Sequence, residues 1–322
     1  MKIYRLLFLL ILISCAQKDN ASTRVNIKNK KTNIKNSSIV ILGTIQDAGS
    51  PQIGCNKNCC KSLFNTPDND RQVISLGLID KVSNKTYLFE ATPDIGRQIK
   101  TLSYYKTGEE KEFVDAIFLT HAHIGHYAGL MFLGKEAANT NNIPVYTMPR
   151  MKEYLTNNGP WSQLVTRKNI LLKGMEDNKT IHLSKELKVT PFLVPHRDEY
   201  SETVGYKISG PNKTALFIPD IDKWNKWEKD IIEEIKKVDY AFLDATFYSG
   251  KEINNRDITQ IPHPFIIESL DKFKDLDETE KNKVIFIHFN HTNPVINPNS
   301  KEAKLVKSKG FKIGEIYDTF EL

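Results

Sequence analysis

The sequence is poor in the residues that crosslink chains and bind metals, with four cysteines and eight histidines among 322 residues. Its apolar run near the N-terminus, at residues 6–13, is too short to cross the roughly 30 Å core of a bilayer as a helix. It has no dense basic block, since its formal charge of +6 comes mostly from scattered lysines. A solvated lysine-rich surface accounts for that charge, and we expect no nucleic-acid partner.

The composition is otherwise ordinary for a globular protein, with 40% hydrophobic and 26% charged residues. No composition break within residues 38–322 marks a boundary, so we expect one domain there. Short apolar runs alternate with helical patterns, as in the strand predicted at 39–44 and the hairpin predicted from 73–79 and 86–91. This mixture predicts an α/β fold in which helices cover two sheets.

Two of the helical patterns lie next to candidate functional residues. One covers residues 127–140, and the other covers residues 224–237. The apolar residues of the second recur at helical spacing and predict a stripe that packs into the core. They are Trp224, Trp227, Ile231, Ile232 and Ile235.

The N-terminus has the pattern of a lipoprotein signal peptide. Lys2 and Arg5 precede the apolar run, and "LISC" ends it in a form that resembles a bacterial lipobox. We predict a signal peptide at residues 1–15, lipidation of Cys15, and a flexible polar tether at residues 16–37. The protein is then expected outside the cytoplasm, anchored to a bacterial membrane by lipid. A plain secretory signal with an incidental cysteine is the alternative.

The other three cysteines, Cys55, Cys59 and Cys60, all lie within "CNKNCC". An odd, clustered set cannot be fully paired by internal disulfides. It predicts either a structural zinc ion held by three thiolates and one ligand from elsewhere, or one disulfide with a spare thiol. Both alternatives make the cluster structural.

Metal-binding side chains follow the ends of four predicted strands. These strands are "DAIFLT", "LKVTPFLVP", "TALFIP" and "KVIFI", and the residues that follow them are His121 with His123, His196, Asp220 and His288. Residues just past strand ends in layered folds converge on one rim, where sites form. We therefore expect these side chains to meet.

The segment "THAHIGHYAGL" has the spacing of a metal site. On an extended turn after a strand, His121 and His123 can both reach one ion, whereas on a helix they would point apart. His126, near the start of the next helix, can bind a neighbouring ion. Neutral imidazoles suit zinc, iron, copper or nickel, and Asp220 could bridge two ions.

This segment resembles the H-x-H-x-D-H signature of the metallo-β-lactamase superfamily, with Gly125 in place of the aspartate. Within that superfamily the chain resembles the pyrroloquinoline-quinone biosynthesis protein B branch. Four further fragments carry this resemblance: "QDAGSPQIGC", "ATPDIGRQI", "FLDATFY" and "FIHFNHTNP". The resemblance implies a four-layer αββα sandwich with metal ions at the edge of the two sheets.

The resemblance also implies how the ligands are divided between two ions. His121, His123 and His196 would hold the first, Asp220 would bridge, and His126 and His288 would complete the second. Gly125 weakens that second site, and we expect Asp222 and His291, close in sequence to the ligands, to compensate. One or two zinc ions are expected, with iron or manganese as alternatives.

Two further residues are assigned roles by this resemblance. Relatives that cut phosphodiesters carry a histidine in the region of His263, which makes it the candidate general acid, with Asp220 as the other catalytic residue. Asp244 resembles the aspartate of the "D-G-T-F" motif and is expected to hold a metal-bound histidine from behind.

A metal that lowers the pKa of bound water supplies hydroxide at neutral pH. We therefore expect a metal-dependent hydrolase that acts on a small-molecule phosphodiester or ester. One alternative is a metal-dependent oxidoreductase related to quinone-cofactor biosynthesis, which the resemblance to that branch implies. Another is a non-catalytic metal-binding lipoprotein, for which Gly125 is the support.

Overall fold

The computed structural model describes residues 34–108, 112–253 and 257–322. The predicted signal peptide, Cys15 and the tether up to residue 33 lie outside the described residues. Ile34 packs against the core, and the first strand begins at Ser38. In the described part of the chain, no helix is both long enough and apolar enough to cross a membrane.

Two seven-stranded sheets form the centre of the molecule. The first has the order β14-β1-β2-β3-β4-β5-β6 and is antiparallel from β14 to β3 and parallel from β3 to β6. Its strands are β1 (Ser38–Gly43), β2 (Ser75–Asp80), β3 (Lys85–Phe89), β4 (Ala116–Phe118), β5 (Ile143–Thr147), β6 (Ile170–Gly174) and β14 (Thr319–Glu321).

The second sheet is likewise part parallel and part antiparallel, and its strand order is β13-β12-β11-β10-β9-β8-β7. It is parallel from β13 to β10 and antiparallel from β10 to β7. Its strands are β7 (Ile181–His182), β8 (Lys188–Leu193), β9 (Val204–Ser209), β10 (Thr214–Ile218), β11 (Tyr240–Asp244), β12 (Val284–Ile287) and β13 (Lys312–Ile313).

Helices cover the outer face of each sheet. Against the first sheet pack α1 (Ile95–Ser103), α3 (Pro149–Asn157) and α4 (Trp161–Thr166), and against the second pack α5 (Ile231–Lys236), α6 (Ile266–Lys272) and α8 (Lys301–Ser308). The described chain also contains the short helices α2 (Ile124–Tyr127) and α7 (Glu278–Lys281), and 3-10 turns at Ala128–Leu133, Trp224–Lys226, Gly250–Ile253, Ile258–Gln260 and Pro294–Ile296.

The molecule has three apolar cores, because successive side chains of each strand point to opposite faces of its sheet. In β1, Ile39 faces the core between the sheets, whereas Val40 faces the core under α1. In β10, Phe217 faces the central core and Leu216 faces the core under α5 and α6. Because successive side chains of a strand point to opposite faces, a sheet buried on both faces needs a continuous apolar run. The layers are therefore α, β, β and α, and the expected four-layer sandwich is confirmed.

Both predicted helices of the sequence analysis are shorter than expected. The segment 127–140 contains only the end of α2 and one 3-10 turn before it leaves helical structure. In 224–237 only α5 is an α-helix, and Trp227 has an extended backbone. Trp224 and Trp227 are nevertheless buried in the core beside α5, because the burial pattern survives the break in the helix.

The site is positioned by strands that end at one edge. β3 and β4 are parallel neighbours in the first sheet, and β10, β11 and β12 are parallel neighbours in the second. Parallel neighbours end on the same side of a sheet, where sites form. The residues that follow these five strands provide most of the site described below.

Candidate metal centre

Asp220, two residues after β10, is the common neighbour of the predicted first-site histidines. It is 2% exposed, and its carboxylate lies 3.3 Å from Nε2 of His121, 3.1 Å from Nε2 of His196 and 3.8 Å from Nδ1 of His123. One donor atom from each of the four residues lies within 4.8 Å of all the others. This spacing suits donors around one metal ion.

His263 and Asp244 also lie beside this carboxylate, and His263 contacts the same oxygen as His196. Nδ1 of His263 is 3.1 Å from Oδ1 of Asp220 and 2.9 Å from Oδ2 of Asp244. Nδ1 of His288 is 3.5 Å from Oδ1 of Asp244 and 2.8 Å from the hydroxyl of Thr246. Asp244 thus contacts both imidazoles, in the position expected of a residue that orients a ligand.

A third group of donors contains a residue that the sequence analysis missed. Donor atoms of Asp47, His126 and His288 lie within 4.8 Å of one another. Nε2 of His126 is 3.7 Å from Oδ2 of Asp220, which joins this group to the first. On the far side of the ring, Nδ1 of His126 lies 3.6 Å from Oε1 of the fully buried Glu90.

Many polar atoms at the centre are buried and have no hydrogen-bond partner. They are Nε2 of His121, both ring nitrogens of His126 and His196, Nε2 of His288 and Oδ1 of Asp220. Buried polar atoms in folded proteins nearly always have a partner, and a bound ion is one of the accepted explanations when no protein group supplies one. A set rich in imidazole, with carboxylate, is the donor chemistry of first-row transition metals, so these residues fit a metal.

Two residues of the centre have a left-handed backbone although neither is glycine. Glu90 follows β3 with φ of 75°, and His288 follows β12 with φ of 65°. Such conformations cost on the order of 1–3 kcal/mol and cluster at functional sites. Both side chains are neighbours of His126: Oε1 of Glu90 lies 3.6 Å from its Nδ1, and the centroid of the His288 ring lies 5.5 Å from that of the His126 ring.

The charges of the centre are strongly coupled. Burial would raise the pKa of Asp220, but the imidazoles of His196, His263 and His288 hold it well below its usual range. Burial lowers the pKa of His121 well below its usual value, and His126 lowers it further. A neutral His121 is the form that binds a metal.

The three cysteines belong to a separate donor group, which shares no residue with the groups around Asp220. All three are free, with 3.9 Å between Sγ of Cys55 and Sγ of Cys59 and the same distance between Cys59 and Cys60. His291 joins them, and its donor atom lies within 4.8 Å of each sulfur. Three sulfurs and one imidazole are a usual tetrahedral zinc set, so the geometry favours the metal-site alternative over the disulfide.

Two predicted supporting residues do not lie where we expected them. The carboxylate of Asp222 accepts from the Lys223 N–H and pairs with Lys226 at 2.7 Å, and it belongs to none of the donor groups that contain the histidines. His291 belongs to the cysteine group. Neither compensates for Gly125, because proximity in sequence to a ligand does not direct a side chain toward the ion.

The residues that were missed gave weak signals in the sequence. Glu90 directly follows a buried strand, as several of the predicted ligands do, and that pattern could have identified it. Thr246 lies two residues after Asp244 in "DATF". Asp47 lies in a glycine- and proline-rich loop after the first strand, which gave no indication of its partners.

Similar folds occur among solved structures. A structure described as Zn(2+)-bound PqqB from Methylobacterium extorquens matches with a TM-score of 0.72 and 23% identity, over 88% of this chain and 100% of that one. A structure described as a new diphosphatase from the PhnP family matches with a TM-score of 0.63 and 20% identity, over 89% and 98%. At such identities the likeness shows the fold.

The sequence matches known proteins over most of its length. Coenzyme PQQ synthesis protein B of Methylorubrum extorquens (strain PA1) is 23% identical over 314 residues, which cover 88% of this chain and 99% of that protein. The family described as "Beta-lactamase superfamily domain" matches residues 85–289, more than half of the chain. That range contains the strand ends that carry His121, His196, Asp220 and His288, and the chain therefore belongs to the β-lactamase superfamily.

Proposed function

We propose that this protein is a zinc-dependent hydrolase that acts on a small-molecule phosphodiester or ester. The observation that carries the proposal is the position of Asp220, whose buried carboxylate lies within 3.3 Å of imidazole nitrogens of His121 and His196. Core packing does not account for a buried cluster of histidines around one carboxylate in which several ring nitrogens lack a hydrogen-bond partner. It is the arrangement that a hydrolytic metal site needs.

The first ion would be held by His121, His123, His196 and Asp220. Zinc is favoured by these donors, and one protein of similar fold is described as bound to Zn(2+). When bound, zinc lowers the pKa of water from 15.7 to about 7 and polarises a phosphoryl or carbonyl oxygen. That the metal is zinc, and that one or two ions are bound, is part of what we propose.

The side chains around the ion supply orientation and proton transfer. Oδ1 of Asp220 lies 3.1 Å from Nε2 of His196 and 3.1 Å from Nδ1 of His263, so its carboxylate can orient the attacking water. Asp244 holds Nδ1 of His263 at 2.9 Å, which leaves Nε2 to carry a proton to the leaving oxygen. A leaving alkoxide needs such a proton, and a positioned histidine is the usual donor.

The test is the hydrolysis of chromogenic substrates by purified protein of known metal content. A phosphodiester, a carboxylic ester and a cephalosporin are compared for the wild type, His121→Ala and His196→Ala. His182→Ala is the matched control, since this exposed histidine lies on β7 outside the donor groups. Hydrolysis that is lost in the two ligand variants and kept in the control supports the proposal. Hydrolysis that survives in all of them contradicts it.

A second candidate is oxidation of a substrate related to quinone-cofactor synthesis. It is favoured by the match to Coenzyme PQQ synthesis protein B over 88% of this chain. If the purified protein contains iron, consumes oxygen and shows no hydrolysis, oxidation is favoured over hydrolysis. Bound metal without turnover of any substrate would instead indicate a metal-binding lipoprotein.

We also propose that lipid on Cys15 anchors the protein outside the cytoplasm. The sequence "LISC" after a short apolar run supports this proposal. Cys15→Ser should move the protein from the membrane fraction to the soluble fraction, and it should abolish incorporation of labelled fatty acid. Labelling that persists in the variant would contradict lipidation of Cys15.

A further inference from the structure

Asp47 lies beside two histidines whose ring nitrogens have no partner. His126 and His288 are both fully buried, and Nε2 of each has no hydrogen-bond partner among the described residues. A carboxylate oxygen of Asp47 lies within 4.8 Å of a donor atom of each. Nε2 of His126 is also 3.7 Å from Asp220, so the three donors adjoin the proposed hydrolytic ion.

The position of Asp47 is fixed by pairing between distant parts of the chain. The Phe289 N–H donates to the carbonyl of Thr44 at 2.7 Å, and the Gln46 N–H donates to the carbonyl of Phe289 at 2.9 Å. These bonds hold residues 44–46 directly beside the residue that follows His288. The Gly49 N–H then donates to the Gln46 carbonyl at 2.9 Å, which turns the loop around Asp47.

Gly125 leaves the space that Asp47 occupies. A Cβ atom at position 125 would lie 2.4 Å from the carbonyl oxygen of Asp47 and 2.5 Å from its Cβ. Cβ atoms in proteins essentially never approach another heavy atom within 3.0 Å, and the nearest atom here belongs to the backbone, which cannot swing away as a side chain does. Any other residue at 125 therefore excludes Asp47 from its observed place.

Neighbouring side chains hold both Asp47 and His126 in place. The side-chain amide of Gln46 hydrogen bonds to the Asp47 carboxylate. Behind His126, the buried Glu90 carboxylate lies 3.6 Å from Nδ1. A carboxylate behind a metal-binding histidine fixes the tautomer, so that the other nitrogen faces the ion with its lone pair. Nε2 is then the donor atom that His126 offers.

We propose that Asp47 is a ligand of a second metal ion, which it holds together with His126 and His288, and that Gly125 is the residue that makes room for it. The carboxylate that position 125 lacks thus comes from the loop after β1. The inference rests on the proposed function for the neighbouring first ion, whereas binding of the second ion is measurable without activity.

The experiment is a titration of metal-free protein with Co²⁺, followed by visible absorption and by metal analysis after dialysis. Thiolate-to-cobalt charge transfer identifies the ion at the cysteine group, so that the ions of the His/Asp centre are counted separately. The variants are Asp47→Ala, Gly125→Ala and, as the matched carboxylate control, Asp222→Ala. Asp222 pairs with Lys226, outside every donor group of the described residues.

The wild type and Asp222→Ala are expected to bind two ions in the His/Asp centre. Asp47→Ala should weaken one of them by more than about ten-fold, because loss of even an outer partner of a ligand reaches that range. Gly125→Ala should weaken the same ion, although residue 125 offers no ligand in either form. Circular dichroism checks that each variant is folded.

The possible failures are distinguishable. A wild type that binds no ion outside the cysteine group would overturn both the proposed function and this inference. A His/Asp centre in which Asp47→Ala leaves the number and affinity of ions unchanged would overturn only the role of Asp47. Full affinity in Gly125→Ala would overturn the claim that glycine is needed to make room.

Discussion

Nδ1 of His263 lies 2.9 Å from Oδ2 of Asp244, a fully buried carboxylate at the end of β11. Asp244 also accepts from the Ile221 N–H at 3.2 Å, and from the N–H and hydroxyl of Thr246 at 2.9 and 2.7 Å. A carboxylate with this many donors is fixed in place, and it fixes the imidazole that it contacts. Asp244 is therefore a positioning residue for His263.

The first prediction concerns Asp244→Asn. Burial lowers the pKa of His263, but the charges of Asp244 and Asp220 outweigh burial and raise that pKa to about 10. Removal of one charge should lower it. A general acid acts below its pKa, so the alkaline limb of the pH–rate profile should move to lower pH, with kcat reduced about 10- to 100-fold. An alkaline limb that does not move would remove His263 from proton transfer.

The second prediction separates the roles of His263 and His196. His263→Ala should keep its full metal content and lose about 10²- to 10⁴-fold in rate with an alkoxide leaving group, which needs a proton. With a nitrophenolate leaving group, which needs none, the loss should be small. His196→Ala should lose metal and fail with both substrates. Equal losses of His263→Ala on both leaving groups would contradict its role as a general acid.

The third prediction concerns Glu90→Gln. Burial lowers the pKa of His126, but Glu90 outweighs it, with help from Asp47 and Asp220, and raises that pKa to about 9. The variant keeps the shape of the side chain and removes the charge behind the ring. We expect the affinity for the second ion to fall about 10- to 100-fold, while the first ion is retained. Isothermal titration of metal-free protein measures both.

The fourth prediction concerns the cysteine group. Burial raises the pKa of Cys60 to about 12, and it raises the pKa of Cys59 as well. These thiols are protonated at neutral pH in metal-free protein, so zinc must displace protons, and its affinity should rise with pH. Zinc at 100 times its Kd stabilises the fold by about 2.7 kcal/mol, so Cys60→Ser and His291→Ala should each lower Tm. A disulfide would make Tm sensitive to reductant instead.

The main parts of the site were predictable because strands obey a simple rule. A buried strand that ends in histidine or aspartate has no packing reason to do so, and several such ends meet where parallel strands stop. This rule alone singles out His121, His196, Asp220 and His288 as members of the candidate site. The four-layer fold was predictable too, but from the resemblance to a known family and not from periodicity alone.

Asp47 and Asp222 show where such reasoning fails. Asp47 reaches the centre because the neighbouring residues Thr44 and Gln46 hydrogen bond to Phe289, about 240 residues away in the chain, and no local pattern encodes that pairing. Asp222 lies two residues from Asp220 and still turns to Lys226. The helix predicted from Trp224 onward failed for a related reason, since tertiary packing buries Trp227 without helical backbone.

The measurement that tests the central claim most directly is anomalous diffraction at the zinc edge from crystals of zinc-loaded protein. We predict a peak enclosed by His121, His123, His196 and Asp220, in addition to any peak at the cysteine group. A peak at the cysteine group alone, with the histidine centre empty at saturating zinc, would contradict the account.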